Sequence, residues 1–230
     1  MDNRMKILVK FPTRGRPEQF IATLDKYMEY ADGVLEYVIT CDTNDETMNN
    51  PEMIAKLDSY IAFGKQLTYS FGESNNKIHA VNKDMEGREF DILLLASDDM
   101  VPVKKGYDTI IRKAMTNIYP DTDGILWFNE GHLADRNNTL SIMGKKYYDR
   151  FNYIYHPDYK SLWCDNEFME VGNLLGRQTY IDLVIIEHKH VHYVGGEEDA
   201  IHKLNTQHHP IDRATFYKRK IKRFPMESVL

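Results

Sequence analysis

Between residues 6 and 118, short apolar runs alternate with helically spaced ones four times over, and this alternation constrains the fold more than any other feature of the chain. The runs at 6–11, 37–41, 67–71 and 92–96 read as strands. Between them, Phe20, Ile21, Leu24 and Met28 recur at helical spacing behind Pro17, and residues 51–63 repeat the pattern. Ile78, Val81 and Met85 mark a third helix, and 105–118 carries Ile110, Ile111 and Ala114 on one side. The order β-α-β-α-β-α-β-α predicts an α/β fold with an open, doubly wound, mostly parallel sheet flanked by helices. The run Ile92, Leu93, Leu94, Leu95, Ala96 contains no polar residue, as expected of a central strand covered on both faces.

The second half is less regular. Residues 124–128 and 139–143 suit strands, 165–175 a short helix, and 180–186 a strand that runs into Glu187, His188, Lys189, His190, Val191 and His192. No linker, repeat or low-complexity segment divides the 230 residues, and an apolar fraction of 42% supports one large domain. A net charge of −6 argues against a dedicated nucleic-acid binder. The first residues are too charged for a signal peptide, and no apolar stretch is long enough to span a bilayer. Cys41 and Cys164 make no disulfide framework, so a reduced, cytoplasmic compartment is expected.

Doubly wound sheets bind ligands beyond the carboxyl ends of their strands. The polar clusters fall there: Pro12, Thr13, Arg14 and Arg16 after the first strand, Asp42 after the second, and Ser97, Asp98 and Asp99 after the apolar one. Adjacent carboxylates at a buried strand end repel, and a hard divalent cation, a ligand donor or solvation has to offset that repulsion. Arg14 and Arg16 suit bidentate contact with phosphate, although neither a P-loop nor a dinucleotide fingerprint is present. Asp42 suits a base N–H or a ribose hydroxyl, or else an Asx turn. His188, His190 and His192 alternate, which on a strand puts all three on one face and makes a metal site or a solvated edge. Ser74 or Asn75 is the expected N-cap of the third helix, with Lys77 and Asn82 facing the ligand edge. Asp165 and Glu167 offer a general base, or simply acids in a helix's first turn. Trp127 and Asn129 are placed toward a donor sugar. Tyr147, Tyr148, Tyr153, Tyr155, Tyr159 and Trp163 read as packing or as an acceptor surface.

Taken in order, Pro12-Thr13-Arg14-Gly15-Arg16-Pro17, Asp42, Ser97-Asp98-Asp99, Asp165-x-Glu167 and the closing His-x-His resemble a glycosyltransferase of the GT-A fold, of the small family-2-like type found in bacteria and their phages. The resemblance covers roughly residues 5–200. It implies a single domain in which 1–120 bind the nucleotide, 121–210 face the acceptor, and 211–230 form a basic tail. It implies a Mn²⁺ or Mg²⁺ ion on Asp99, the last acid of a DXD-type motif, completed by His188 or His190 with preference for His190. Asp98 would face the ribose or sugar, Asp42 the base, and Thr13, Arg14 and Lys77 the nucleotide. Asp165 or Glu167 would deprotonate an acceptor hydroxyl, with Asn166 standing between two acids that are adjacent in the family. A UDP-sugar donor and an inverting displacement are expected.

Three other readings compete: a sugar nucleotidyltransferase, a zinc hydrolase or cupin-like enzyme built on His188, His190 and His192, and a non-catalytic nucleotide-sugar binding module. Arg213 to Arg223 carry six basic residues and no acid, which suits a solvated terminal helix or contact with a polyanion. The acceptor expected from these features is a saccharide, a lipid-linked chain or modified nucleic acid.

Overall fold

The computed structural model describes residues 5–195 and 197–224. Residues 225–230 of the expected tail and the side chain of His192 lie outside the described residues. The first half follows the expected alternation with one short strand, β5, added before the last helix: β1 (Ile7–Thr13), α1 (Pro17–Tyr30), β2 (Glu36–Asp42), α2 (Pro51–Ala62), β3 (Gln66–Gly72), α3 (Lys77–Asn82), β4 (Ile92–Leu95), β5 (Met100–Pro102) and α4 (Tyr107–Ile118). The second half adds β6 (Ile125–Phe128), β7 (Ile142–Gly144), α5 (Lys145–Tyr148), α6 (Cys164–Leu174), β8 (Gln178–Ile181), β9 (Ile186–His188), α7 (Val191–Val194), α8 (Ala200–Thr206) and α9 (His209–Ile221). Prolines occupy the first turns of α1 and α2, where a missing N–H costs nothing. The cap of α3 is Asn76, whose side chain accepts from the His79 N–H at 3.0 Å, so neither Ser74 nor Asn75 takes that role.

Seven strands form one sheet in the order β3-β2-β1-β4-β7-β6-β8. β1 lies parallel to β2 and β4, β2 to β3, and β6 to β8; β7 runs antiparallel between β4 and β6. The sheet is therefore mixed but mostly parallel. Its two faces follow the period of two along each strand. Ile7, Val9 and Phe11 of β1 join Leu24, Tyr27, Leu57 and Ile111 of the helices on one side. Leu8 joins Ile78, Val81, Tyr147, Tyr155 and Phe168 on the other. Each such side chain contributes about 1.5–3 kcal/mol on burial. Most of the tyrosine cluster is thus core, with Tyr147, Tyr148, Tyr155 and Tyr159 all buried.

Lys10 falls on the second face and is fully buried. Its ammonium donates to the Thr40 hydroxyl, and the Asp84 carboxylate accepts from Thr40 and Ser70 at 2.5 Å each. Burial brings the Lys10 pKa down from 10.5 to about 8 against the pull of Asp84. The unfolded chain therefore binds more protons than the native one between those two values, and stability carried by this group rises with pH across that window. Relative to Lys10→Met, wild-type stability should gain on the order of 3 kcal/mol from pH 8 to pH 10.5, read from denaturant melts at both ends.

The C-terminal helix α9 is part of this fold. Asp212 in its first turn is fully buried and accepts from the backbone N–H groups of Lys160, Ser161 and Leu162 at 2.9, 2.8 and 2.8 Å. Phe216 of the same helix is buried against Trp163. Among the described residues no helix is long and apolar enough to cross a membrane.

Candidate active site

Because β1, β2, β3 and β4 are mutually parallel, all four open their carboxyl ends on one edge. The chain leaves β1 toward β2 on one side and reaches β4 on the other, so the crevice of a doubly wound sheet lies at β1. Pro12 and Thr13 close β1 there, and Asp42 closes β2. The Arg14 guanidinium donates to Asp42 Oδ2 at 2.6 Å and to Asn44 Oδ1 at 2.8 Å. Thr13 Oγ1 and Asp42 Oδ1 are buried and have no protein partner. Such atoms cost about 1–3 kcal/mol each when nothing bonds them, so a hydroxyl and a carboxylate oxygen at neighbouring strand ends are available to a ligand.

Gly15 makes the next turn possible. Its φ of +72° is one that glycine adopts without strain, and a Cβ there would lie 2.8 Å from Ile201 Cδ1. α8 is thereby allowed to pack on the β1 loop. Arg16 fastens it, with Nε and Nη2 donating to the two Asp199 oxygens at 2.6 and 2.8 Å. The same guanidinium donates to Asp98 at 3.1 Å, so it bridges β4's end to the C-terminal region.

Ser97, Asp98 and Asp99 follow β4. Burial pushes the Asp98 carboxyl above its ordinary value although Arg16 opposes it. For Asp99, burial acts upward too, but His188, the Ser97 hydroxyl and the Lys77 ammonium outweigh it and hold the carboxyl well below the usual range. His188 Nε2 stands 3.5 Å from Asp99 Oδ2. This proximity comes from a two-stranded antiparallel ladder in which Met100 of β5 pairs with His188 of β9, continued by the Lys189 N–H donating to the Asp99 carbonyl at 2.7 Å. Ligand atoms of Asp99, His190 and His202 lie within 4.8 Å of one another. An oxygen and two imidazole nitrogens at that spacing fit one divalent ion.

The three-histidine face expected on one strand does not form. β9 ends at His188 and a helix begins at Val191, because the β5–β9 ladder is only three residues long. His202 was not foreseen. It enters from α8, where Asp199 caps the helix by accepting from the His202 N–H at 2.8 Å, and no local pattern distinguishes it from a surface histidine.

The two acids of α6 go to opposite environments. Asp165 is half-buried and accepts from the Asn137 amide at 2.8 Å and from the Asn166 N–H at 3.0 Å. Trp163, just before it, holds a φ of +64° and packs on Phe216 and Tyr217 of α9, which fixes where α6 starts. Glu167 is buried and fully engaged: Arg219 donates to both its oxygens at 2.7 and 2.8 Å, and the Tyr159 hydroxyl donates at 2.7 Å. Its surroundings are a structural ion pair, not a solvent-facing base. Asn82 is likewise occupied, donating to the Tyr155 carbonyl and accepting from the Ile154 and Tyr155 N–H groups, so it supports a loop where a ligand contact was expected. Trp127 lies in β6, buried edge-to-face on Tyr180, with β7 between it and β4. Lys77 is exposed at the start of α3, close enough to both aspartates to favour their charged forms.

No protein-family model matches the chain, and no curated protein matches its sequence. Solved structures do match. A mannosyltransferase from Pyrobaculum calidifontis, in complex with GDP-Man and Mn²⁺, superposes with a TM-score of 0.65 at 15% identity over 81% of this chain and 57% of that one. S. aureus TarS 1-349 in complex with UDP-GlcNAc gives 0.59 at 15% identity, over 84% and 62%. Glucosyl-3-phosphoglycerate synthase from Mycobacterium tuberculosis, with Mn²⁺, UDP and phosphoglyceric acid, gives 0.55 at 10% identity, over 84% and 74%. The chain thus spans less than two thirds of the mannosyltransferase and of TarS. With its mixed seven-stranded sheet and flanking helices, it has the fold of the GT-A glycosyltransferases.

Proposed function

We propose that this protein is a metal-dependent glycosyltransferase that moves a sugar from a nucleotide-sugar, in the first instance a UDP-sugar, to an acceptor hydroxyl. One observation carries the reading: two partnerless buried polar atoms, Thr13 Oγ1 and Asp42 Oδ1, open on the strand edge that also assembles Asp99, His190 and His202. Asp99, His190 and His202 would hold the ion, and His188 would orient the Asp99 carboxylate from the side. Two imidazoles beside one carboxylate suit Mn²⁺ better than Mg²⁺, which prefers an all-oxygen shell. When bound, such an ion neutralises charge on a departing nucleoside diphosphate.

The remaining roles belong to side chains. Asp42 accepts from the base or ribose while Arg14 holds it in place. Thr13 lines the nucleotide. Lys77 adds positive charge next to the two aspartates. Asp165, steadied by Asn137, takes the proton from the acceptor hydroxyl, and a single displacement with that base inverts the anomeric centre. Glu167 has no part in this step, since its carboxylate is spent on Arg219 and Tyr159.

Thermal shift with UDP, GDP, CDP and dTDP, each with and without Mn²⁺, tests the donor assignment. Stabilisation of about 2.7 kcal/mol is expected at a hundredfold excess over Kd. It should require Mn²⁺ and be largest for UDP. No metal-dependent shift with any of the four would overturn the reading.

A further inference from the structure

The donor site leaves one strongly charged region unused. Of the basic residues on α9 and just beyond it, Arg219 is held by Glu167, Lys220 pairs with Glu170, and Arg213 lies over the Tyr217 ring. Lys218 and Lys222 are one turn apart on the same helical face. With Lys160, Thr215 and Asp158 they line a groove of about 510 Å³. Among the described residues, none of these three lysines has an ion-pair partner. The one carboxylate of the groove, Asp158, is turned to Arg219 at 3.6 Å and His156 at 3.8 Å.

Like charges four residues apart on a helix repel. The helix dipole favours cations in the last turn of α9, which accounts for Lys218 and Lys222. It does not account for Lys160, which a separate loop delivers to the same groove. That loop is pinned there by Asp212, which accepts three successive backbone N–H groups from it. Three ammonium groups and the Thr215 hydroxyl, all rotatable donors, beside an Arg219 fork already taken by Glu167 and Asp158, match a tetrahedral phosphate approached from several sides.

The loop that carries Lys160 also touches the start of α3. The Lys160 carbonyl accepts from the Ile78 N–H at 3.4 Å, next to Lys77. Asp165 follows Lys160 by five residues, a span of at most about 17 Å of chain. The groove's Arg219 holds Glu167, on the side of α6 away from Asp165, so a molecule with a phosphate in the groove has to pass around that helix and be several units long to present a hydroxyl to Asp165.

We propose that Lys160, Lys218, Lys222 and Thr215 form a phosphate subsite for the acceptor, which is then a phosphate-bearing chain and not a neutral saccharide. The word acceptor rests on the glycosyltransferase reading; the anion site rests on the groove alone. Isothermal titration with sodium tripolyphosphate, in EDTA to keep metal out of the donor site, tests it. Wild type should bind at low salt and weaken as salt rises, and the triple variant Lys160→Ala, Lys218→Ala, Lys222→Ala should bind at least about tenfold more weakly with an unchanged melting temperature. Asp99→Ala should bind tripolyphosphate as wild type does. A second arm uses vesicles of phosphatidylcholine mixed with phosphatidylglycerol: lysine-dependent binding to tripolyphosphate assigns a free phosphate chain, and lysine-dependent binding to vesicles alone assigns a lipid-borne one. Binding in neither arm, or equal binding by the triple variant, overturns the subsite. A lost UDP and Mn²⁺ thermal shift would overturn the donor reading and leave this result standing.

Discussion

Asp99→Ala is expected to remove the Mn²⁺-dependent stabilisation by UDP and to lower turnover by at least about a thousandfold. The size follows from what the ion contributes. Neutralising charge on a leaving diphosphate is worth several kcal/mol, and each 1.4 kcal/mol is a factor of ten in rate. Asp99 supplies the oxygen of the proposed ligand set, and the other two atoms are imidazole nitrogens. His188→Gln should have a smaller effect of the same sign, because that ring touches Asp99 at 3.5 Å without belonging to the trio. Isothermal titration of Mn²⁺ in the presence of UDP separates the two. An Asp99→Ala protein that binds Mn²⁺ and UDP as tightly as wild type would remove the carboxylate from the site.

Glu167→Ala should fail in a different way. It leaves the Arg219 guanidinium half-buried without its bidentate partner and the Tyr159 hydroxyl without an acceptor. Breaking a buried pair from one side costs about 3–5 kcal/mol, which for a chain of this size is a melting-temperature loss on the order of 10 °C. Asp165→Asn keeps the shape and the Asn137 contact region, so it should melt within a degree or two of wild type while losing about 10²–10⁴ in turnover. The crossed pattern is the test. If Glu167→Gln melts normally and loses turnover while Asp165→Asn keeps it, the two roles are reversed.

Much of this site could be read from the chain because strand ends are local features. Thr13, Asp42 and Asp99 each follow a run whose apolar period marks it as a strand, and parallel topology sends those ends to one edge whatever the details of packing. The histidines show the limit of that reasoning. Their alternate spacing implies a shared face only while the strand continues, and here it stops at His188. What brings His190 to Asp99 is a ladder between segments almost ninety residues apart, Met100 with His188. His202 is further still from any motif and reaches the site because Gly15 admits α8 and Arg16 binds Asp199.

The acids of α6 make the same point. Two residues apart on a helix, Asp165 and Glu167 lie on different sides of it, so one sequence motif necessarily faces two environments. Which side is the interior depends on α9, whose Arg219 returns from fifty-two positions downstream to take Glu167.

Hydrophobic period, turn residues and strand-end polarity thus determined the strands and helices of the first half and the edge where their polar ends gather, since each is set by interactions within a few residues. The candidate ligand trio, the separation of Asp165 from the buried Glu167–Arg219 pair and the lysine groove were decided by tertiary structure. Each joins groups whose proximity is created by packing between distant segments, and no periodicity in the chain encodes that distance.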